Sequence, residues 1–580
     1  MEPALVASIG VVAVVAMNGL ARKIGVAPPL LLVALGVAVS FLPFVGAVEI
    51  EPEWILAGVL PPLLYSAAVS MPTMDFRRDF GTIGGLSVAL VVITSVALGF
   101  VFWWLLPEIN LATGIALGAV VSPTDAVATT IVKRLGVPPR VVTVLEGESL
   151  LNDASALVLL RSAVAATAGA VSLWGVAGDF LRSVVIAVAI GALVGVLNLR
   201  VRAAVRDAAS STAISFVAPF VAFAPTEHLG ASGLVAAVTA GLVAGQGSAR
   251  YLRAQDRLAE TLNWSTVEVV LEGAVFLTMG LQLFGLVDDV RDEHDSIWLA
   301  LWVGSLAVLV ALLLRSLYVA VVLLIGSGRR IDPERERAQL AEAEARYAER
   351  WAVPGNPKRH PVGDPERAGQ RQQNLARRVA QRLADIDYLA AQPLTGRDGV
   401  VLVWAGMRGA ITVAAALTLP VGTPQRSLLV LIAFVAAAGS LLVQGGSLPW
   451  VVRLLGVGGA AQEGDDERAA LMSALAAATA RVVEDPDLRR ADGSRYHPRV
   501  LERVRKTAQA EQDEEYQERS RAINAQVLEL RLAIIDAQRE ALLEARSIGT
   551  FSSAALTSAL DVLDADQISA ELKGGAAAGD

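Results

Sequence analysis

The chain has 580 residues, 54% of them apolar and only 18% charged, with a mean hydropathy of +0.53. That balance excludes an ordinary water-soluble globular protein and requires lipid as the solvent for most of the chain. The formal charge of −8 is modest and argues neither for nor against a nucleic-acid partner, and none is expected; the absence of cysteine excludes disulfides, iron–sulfur clusters and thiolate metal sites.

In chain order, thirteen apolar runs centre on residues 4–20, 27–45, 54–71, 83–106, 111–132, 142–167, 183–199, 211–227, 231–247, 264–287, 297–325, 399–419 and 427–454. Each is near the ~20 residues that cross a ~30 Å hydrocarbon core. The first is not read as a cleavable signal, because Glu2 precedes it where a basic segment belongs and Arg22 and Lys23 follow it. Arg22/Lys23, Arg77/Arg78, Lys133/Arg134/Arg140, Arg200/Arg202/Arg206 and Arg250/Arg253/Arg257 alternate onto one side, which predicts the N-terminus outside and the C-terminus in the cytoplasm. The expected fold is an all-α polytopic membrane protein with thirteen transmembrane helices over residues 1–456.

Two polar stretches interrupt or follow the apolar pattern. Residues 328–396 form a charged insert between spans 11 and 12, read as a linker or a regulatory module. Residues 457–580 are read as a helical cytoplasmic tail, with helices expected over 465–483 and 498–548, the second opening on Pro498. The apolar step from Ile523 to Ala541 is too short for a coiled coil.

Two spans carry their own interruptions. Span 5 holds Ser122-Pro123-Thr124-Asp125, where proline breaks the hydrogen-bond ladder, and span 12 holds Gly406-Met407-Arg408-Gly409. They stand seven spans apart, as inverted repeats with two broken, crossing helices require. The helix ends so created point inward and call for charged side chains to neutralise them.

Span 6 carries the chemistry. At 100° per residue, Glu148, Asn152, Ser149 and Asp153 fall at roughly 0°, 40°, 100° and 140°, with Glu146 adjoining at about 160°. Asp153 lies about 18 Å along the helix from Val141, near the bilayer centre. A carboxylate there keeps a proton or holds a cation, because a naked charge is too costly; competition between the two is proton/cation exchange. Hard monovalent cations take oxygen ligands, so Asp153, Ser149 and Asn152 are candidates, with the Thr124 carbonyl freed by Pro123. Asp125 either caps helix N-termini at the break or ligates the cation. Arg408 needs an anionic partner, and Glu148 is the expected one, in a structural ion pair. Glu268 and Glu272, with Glu146, line an entry funnel or snorkel to the interface. Arg161 and Arg315 are expected to snorkel or brace contacts.

Ser122-Pro123-Thr124-Asp125, Gly147-Glu148-Ser149-Leu150-Leu151-Asn152-Asp153 and Gly406-Met407-Arg408-Gly409-Ala410-Ile411 resemble the monovalent cation:proton antiporters of the bacterial NhaP and animal NHE type, over residues 1 to about 456. The resemblance implies a homodimer with a dimerisation bundle and a six-helix core in which spans 5 and 12 cross. It implies Asp153 as the exchanging carboxylate, Ser149 and the Thr124 carbonyl as ligands, Asn152 and Asp125 as stabilisers of the crossing, and Glu148 with Arg408 as the family's ion pair. The Asn-Asp pair resembles the electroneutral branch. Bacterial relatives often carry an acidic residue on span 3 where this chain has Tyr65-Ser66, so the Ser66 hydroxyl is a candidate substitute ligand.

The expected function is therefore electroneutral Na⁺/H⁺ antiport in the plasma membrane, by a secondary transporter that is not an enzyme and needs no cofactor, with Li⁺ or K⁺ as alternative cations. K⁺/H⁺ exchange is the rival within the class. A cation channel or ion-sensing receptor is the rival outside it, and would need a polar stripe through several spans where only span 6 shows one.

Overall fold

A computed structural model of the chain describes residues 3–42, 51–168, 173–293, 295–328 and 392–457, with isolated positions between 337 and 390 and between 489 and 570. The chain divides into a unit Met1–Gly458 and a unit Gly459–Asp580. The helices expected over 465–483 and 498–548 lie outside the described residues, apart from isolated positions between 532 and 538, as does most of the 328–396 insert.

A helical segment lies at each of the thirteen apolar runs. In chain order they are α1 (Pro3–Ile24), α2 (Pro28–Ser40), α3 (Trp54–Ser70), α4 (Phe80–Leu105), α5a (Leu111–Val121) with α5b (Val127–Arg134), α6 (Pro139–Ala168) and α7 (Leu173–Ala204). Then follow α8 (Ala208–His228), α9 (Gly233–Tyr251), α10 (Ala254–Leu281), α11 (Ile297–Gly328), α12a (Gly396–Trp404) with α12b (Ala410–Leu417), and α13 (Arg426–Leu455). Among the described residues, eight helices are long and apolar enough to cross a membrane unaided; α2, α3 and α5a are shorter apolar helices. The breaks in spans 5 and 12 account for part of this difference from thirteen, because each leaves two short helices where an unbroken run was counted.

Local sequence sets the ends. Asn110 caps α5a by accepting from the Thr113 N–H at 2.8 Å, and Thr395 with Asp398 forms a capping box on α12a. In α3, Pro61 and Pro62 cannot donate to the turn before them, and residues 54–59 widen into a π-helical turn.

The helices pack in two groups. One joins α4, α5, α6, α11, α12 and α13; the other joins α1, α2, α3, α7, α8, α9 and α10. Small residues bring α4 and α5a together: a Cβ on Gly118 would run into the Ser95 carbonyl, and one on Gly114 into that of Gly99. The second group has its own buried polar network, in which Arg202 meets Glu260 at 2.7 Å and Asn198 donates to the Tyr65 hydroxyl at 2.9 Å.

Asp385, Tyr388 and Gln392, just before α12a, are fastened to α6 and the residues that precede α4. Asp385 accepts from Arg78 Nε at 2.8 Å, the Arg78 guanidinium lies 4.5 Å from the Tyr388 ring centroid, and Arg140 holds both Asp79, at 2.8 Å, and the Gln392 carbonyl, at 2.6 Å. Burial, and then the charges of Asp75 and Asp79, push the Tyr388 hydroxyl up to about 12. The C-terminal end of the insert is thereby tied to the first turn of α6.

Candidate ion-binding site

The two interruptions meet. Pro123 ends α5a, and the Asp125 N–H donates to the Met407 carbonyl at 2.8 Å, joining the break in span 5 to the break in span 12. Gly409 is required at this contact, because a Cβ there would overlap the Asp125 carboxylate. Asp125 accepts from the Val127 N–H at 3.0 Å and so sets a negative charge at the N-terminus of α5b.

Arg408 does the converse. Its Nε donates to the Val121 carbonyl at 3.1 Å and its Nη1 to the Gly406 carbonyl at 2.5 Å, which places a positive charge over the carbonyl ends of α5a and α12a. The Arg408 backbone N–H donates to Ser440 Oγ on α13 at 2.9 Å.

The expected Glu148–Arg408 ion pair is not what forms. Glu148 is held by Arg315 of α11, whose Nη1 binds Glu148 Oε1 and whose Nη2 lies 2.8 Å from Oε2, with both side chains 2% exposed. The physical reason is that Arg408 is consumed by backbone carbonyls at the crossing, while Arg315 has a planar fork free for bidentate contact. Arg315 Nε also donates to the Leu402 carbonyl at 2.8 Å, so one guanidinium joins α6, α11 and α12a. Arg315, expected to snorkel or brace contacts, is instead the partner of Glu148; the rule that an intramembrane charge needs a partner is the signal in the sequence, but it does not rank two arginines for one carboxylate.

The polar face of α6 divides in two. On the packed side, Asn152 donates to the Thr124 carbonyl at 3.0 Å and to Thr124 Oγ1 at 2.9 Å, and Thr124 Oγ1 donates to Glu148 at 3.0 Å. Thr124 and Asn152 are buried in this network, where they fix the break, and they do not line the cavity described next; the Asn152 Oδ1 is buried without a hydrogen-bond partner.

On the other side, Ser149, Asp153 and Glu146 face a cavity of about 260 Å³ between the two helix groups, with room for several waters. Asp125, Glu268 and Glu272 line the same cavity, which runs from the exposed Lys133 and Ser70 down to Asp153, 4% exposed. Lys133 pairs with Glu146. The three acids expected as a funnel thus share one cavity with the expected carrier. Ser66 is buried and does not line the cavity. Among the described residues no cationic side chain pairs with Asp153. Arg161, two turns further along α6, pairs at 2.8 Å with Glu227 of α8.

The family model "Sodium/hydrogen exchanger, transmembrane" matches residues 9–345. The chain belongs to the sodium/hydrogen exchanger family. It is 34% identical over 318 residues to an uncharacterized Na(+)/H(+) exchanger of Escherichia coli K12, a match covering 52% of this chain and 58% of that protein. It is 30% identical over 281 residues to a sodium, potassium, lithium and rubidium/H(+) antiporter of Bacillus subtilis, covering 46% of this chain and 41% of that protein. The chain thus spans about half the length of these two relatives. In fold it is similar to the sodium proton antiporter MjNhaP1 of Methanocaldococcus jannaschii, with a TM-score of 0.55 and 15% identity, over 78% of this chain and 98% of that one.

Proposed function

We propose that this exchanger-family chain is an electroneutral Na⁺/H⁺ antiporter of the plasma membrane, working as a homodimer, with residues 1–456 as the exchanger domain and residues 457–580 as a cytoplasmic tail. The observation that carries this reading is Asp153: a buried carboxyl that opens onto a cavity with room for several waters at the helix crossing, while the charges beside it on the packed side are matched. Glu148 has Arg315, and Arg408 has helix-end carbonyls. A carboxyl left in that state binds a proton or a cation, one excluding the other.

In the proposed cycle Asp153 is the exchanging group, Ser149 supplies a hydroxyl oxygen, and Asp125 stands opposite across the cavity from the α5b cap. Glu146, Glu268 and Glu272 form an acidic approach that concentrates cations, with the N-terminus outside and this funnel on the cytoplasmic side. K⁺ is the second reading, favoured by the Bacillus subtilis relative, a sodium, potassium, lithium and rubidium/H(+) antiporter, and by a serine where span 3 of bacterial relatives often has an acid.

The test is Asp153→Asn, which keeps size and hydrogen bonding but can neither exchange a proton nor neutralise a cation. In everted vesicles with a trapped pH dye, Na⁺, Li⁺ and K⁺ added in turn should dequench the wild type and leave the variant silent at equal expression. Wild-type dequenching in the variant would remove Asp153 as the carrier.

A further inference from the structure

A second cavity, of about 430 Å³, adjoins the first, and Glu272 and Thr130 line both. Into it converge Arg22 from the last turn of α1, Arg134 from the last turn of α5b and Arg453 from the last turn of α13. Among the described residues none of the three makes an ion pair, and Glu272 is the only carboxylate in the lining. A C-terminal arginine complements its own helix dipole. That accounts for each one singly, but not for three helices distant in sequence bringing theirs to one hollow.

Three guanidiniums against one carboxylate leave an excess of positive charge over an apolar floor that includes Leu30, Ile131 and Leu135. On the helix that brings Arg453, Trp450 is 64% exposed and Leu454 68% exposed, residue types suited to a lipid interface. Guanidinium forks match phosphate oxygens bidentately and hold their charge at any physiological pH.

We propose that this cavity binds a phosphate group, carried by an anionic lipid headgroup or by a soluble phosphate. Through the shared wall of Glu272 and Thr130 the bound anion lowers the potential in the acidic funnel, so that cations reach Asp153 at lower concentration. This second step rests on the antiport reading; the binding does not.

Melting of the full-length protein in a neutral detergent is the experiment, with short-chain phosphatidylglycerol, short-chain phosphatidylcholine, inorganic phosphate, and chloride at matched ionic strength as probes. Phosphatidylglycerol should raise the melting temperature saturably, and phosphatidylcholine and chloride should not. A rise with inorganic phosphate assigns the site to the phosphate itself; a rise with the lipid alone assigns it to the headgroup with its chain. The triple variant R22Q/R134Q/R453Q should need at least ten times more probe, and R22K/R134K/R453K, which keeps the charge but not the fork, should fall between. If the triple glutamine variant is not recovered, R22Q/R453Q replaces it. No rise with either phosphatidylglycerol or inorganic phosphate, a rise with phosphatidylcholine equal to that with phosphatidylglycerol, or the same rise in wild type and glutamine variant, overturns the proposal. In proteoliposomes, phosphatidylglycerol should lower the half-saturating cation concentration of the wild type more than that of the glutamine variant. Equal lowering in both, with the melting shift intact, refutes the coupling and leaves the binding site standing.

Discussion

Replacing Glu148 or Arg315 alone should damage the fold, and replacing both should repair much of the damage. Both side chains are 2% exposed and bonded in a two-pronged pair. Glu148→Gln keeps the shape and the Thr124 contact but leaves the Arg315 guanidinium buried with only neutral acceptors, the amide oxygen and the Leu402 carbonyl, and no opposite charge. Two unit charges about 4 Å apart interact by ~4 kcal/mol at an effective dielectric of 20, and removing one partner of a buried pair costs ~3–5 kcal/mol. Each single variant, E148Q or R315Q, should therefore lose that much, while E148Q/R315Q loses clearly less than the sum. Arg408 supplies the control: its side chain bonds to carbonyl oxygens, so R408Q should be destabilising and E148Q should not rescue it to the same degree. The measurement is a double-mutant cycle for each pair, read from resistance to heat of the detergent-solubilised protein by size-exclusion chromatography. A coupling between positions 148 and 408 larger than that between 148 and 315 would refute the assignment of the pair.

Three further outcomes follow from the same geometry. Because one carboxyl serves proton and cation, each unit of pH below its pKa should raise the half-saturating cation concentration about tenfold with the maximal signal unchanged; a fall in the maximum instead would mean that proton and cation bind separately. One charge moving each way should make exchange in proteoliposomes indifferent to a clamped potential, whereas a net charge would add ~2.3 kcal/mol per 100 mV, and a clear voltage dependence would rule out one-for-one exchange. Gly409→Ala should lower the yield of folded protein by displacing the Asp125 carboxylate from its cap, at ~1–3 kcal/mol or more; wild-type yield and activity would show that the crossing is looser than the contact implies.

Much of this architecture was legible because lipid makes rules strict. Proline at 123 in an apolar run, and Gly406-Met407-Arg408-Gly409 in another, announced breaks whose ends had to be neutralised, and Asp125 and Arg408 are what neutralise them. What periodicity could not supply was rotation about the α6 axis relative to its neighbours. Glu148, Asn152, Ser149 and Asp153 form one polar face in projection, but that face is wide enough to touch two environments, so half of it packs against α11 and the break while half opens to the cavity. For the same reason the sequence does not distinguish the partner of Glu148: Arg315 and Arg408 are both mid-segment arginines, and only the three-dimensional course of the α5a carbonyl end decides which of them is free.

The division of α6 also explains how one helix can be rigid and exchangeable at once. The packed face is held from three directions, by the Thr124 hydroxyl, the Arg315 fork and the Ser87 hydroxyl on the Glu148 carbonyl, so the depth and rotation of the helix are fixed. Asp153 follows Asn152 directly and inherits that placement without sharing its bonds. A carboxyl fixed in position and without an ion-pair partner among the described residues would, in the proposed cycle, have only its mobile ligand to respond to, proton or cation, which is the condition for two ions to compete at one site without rearranging the helix that carries them. A tight partner for Asp153, such as an arginine on α3 or α10, would supply the charge permanently and abolish that competition, so on the proposed mechanism the lack of such a partner among the described residues is a cost in stability that exchange would require.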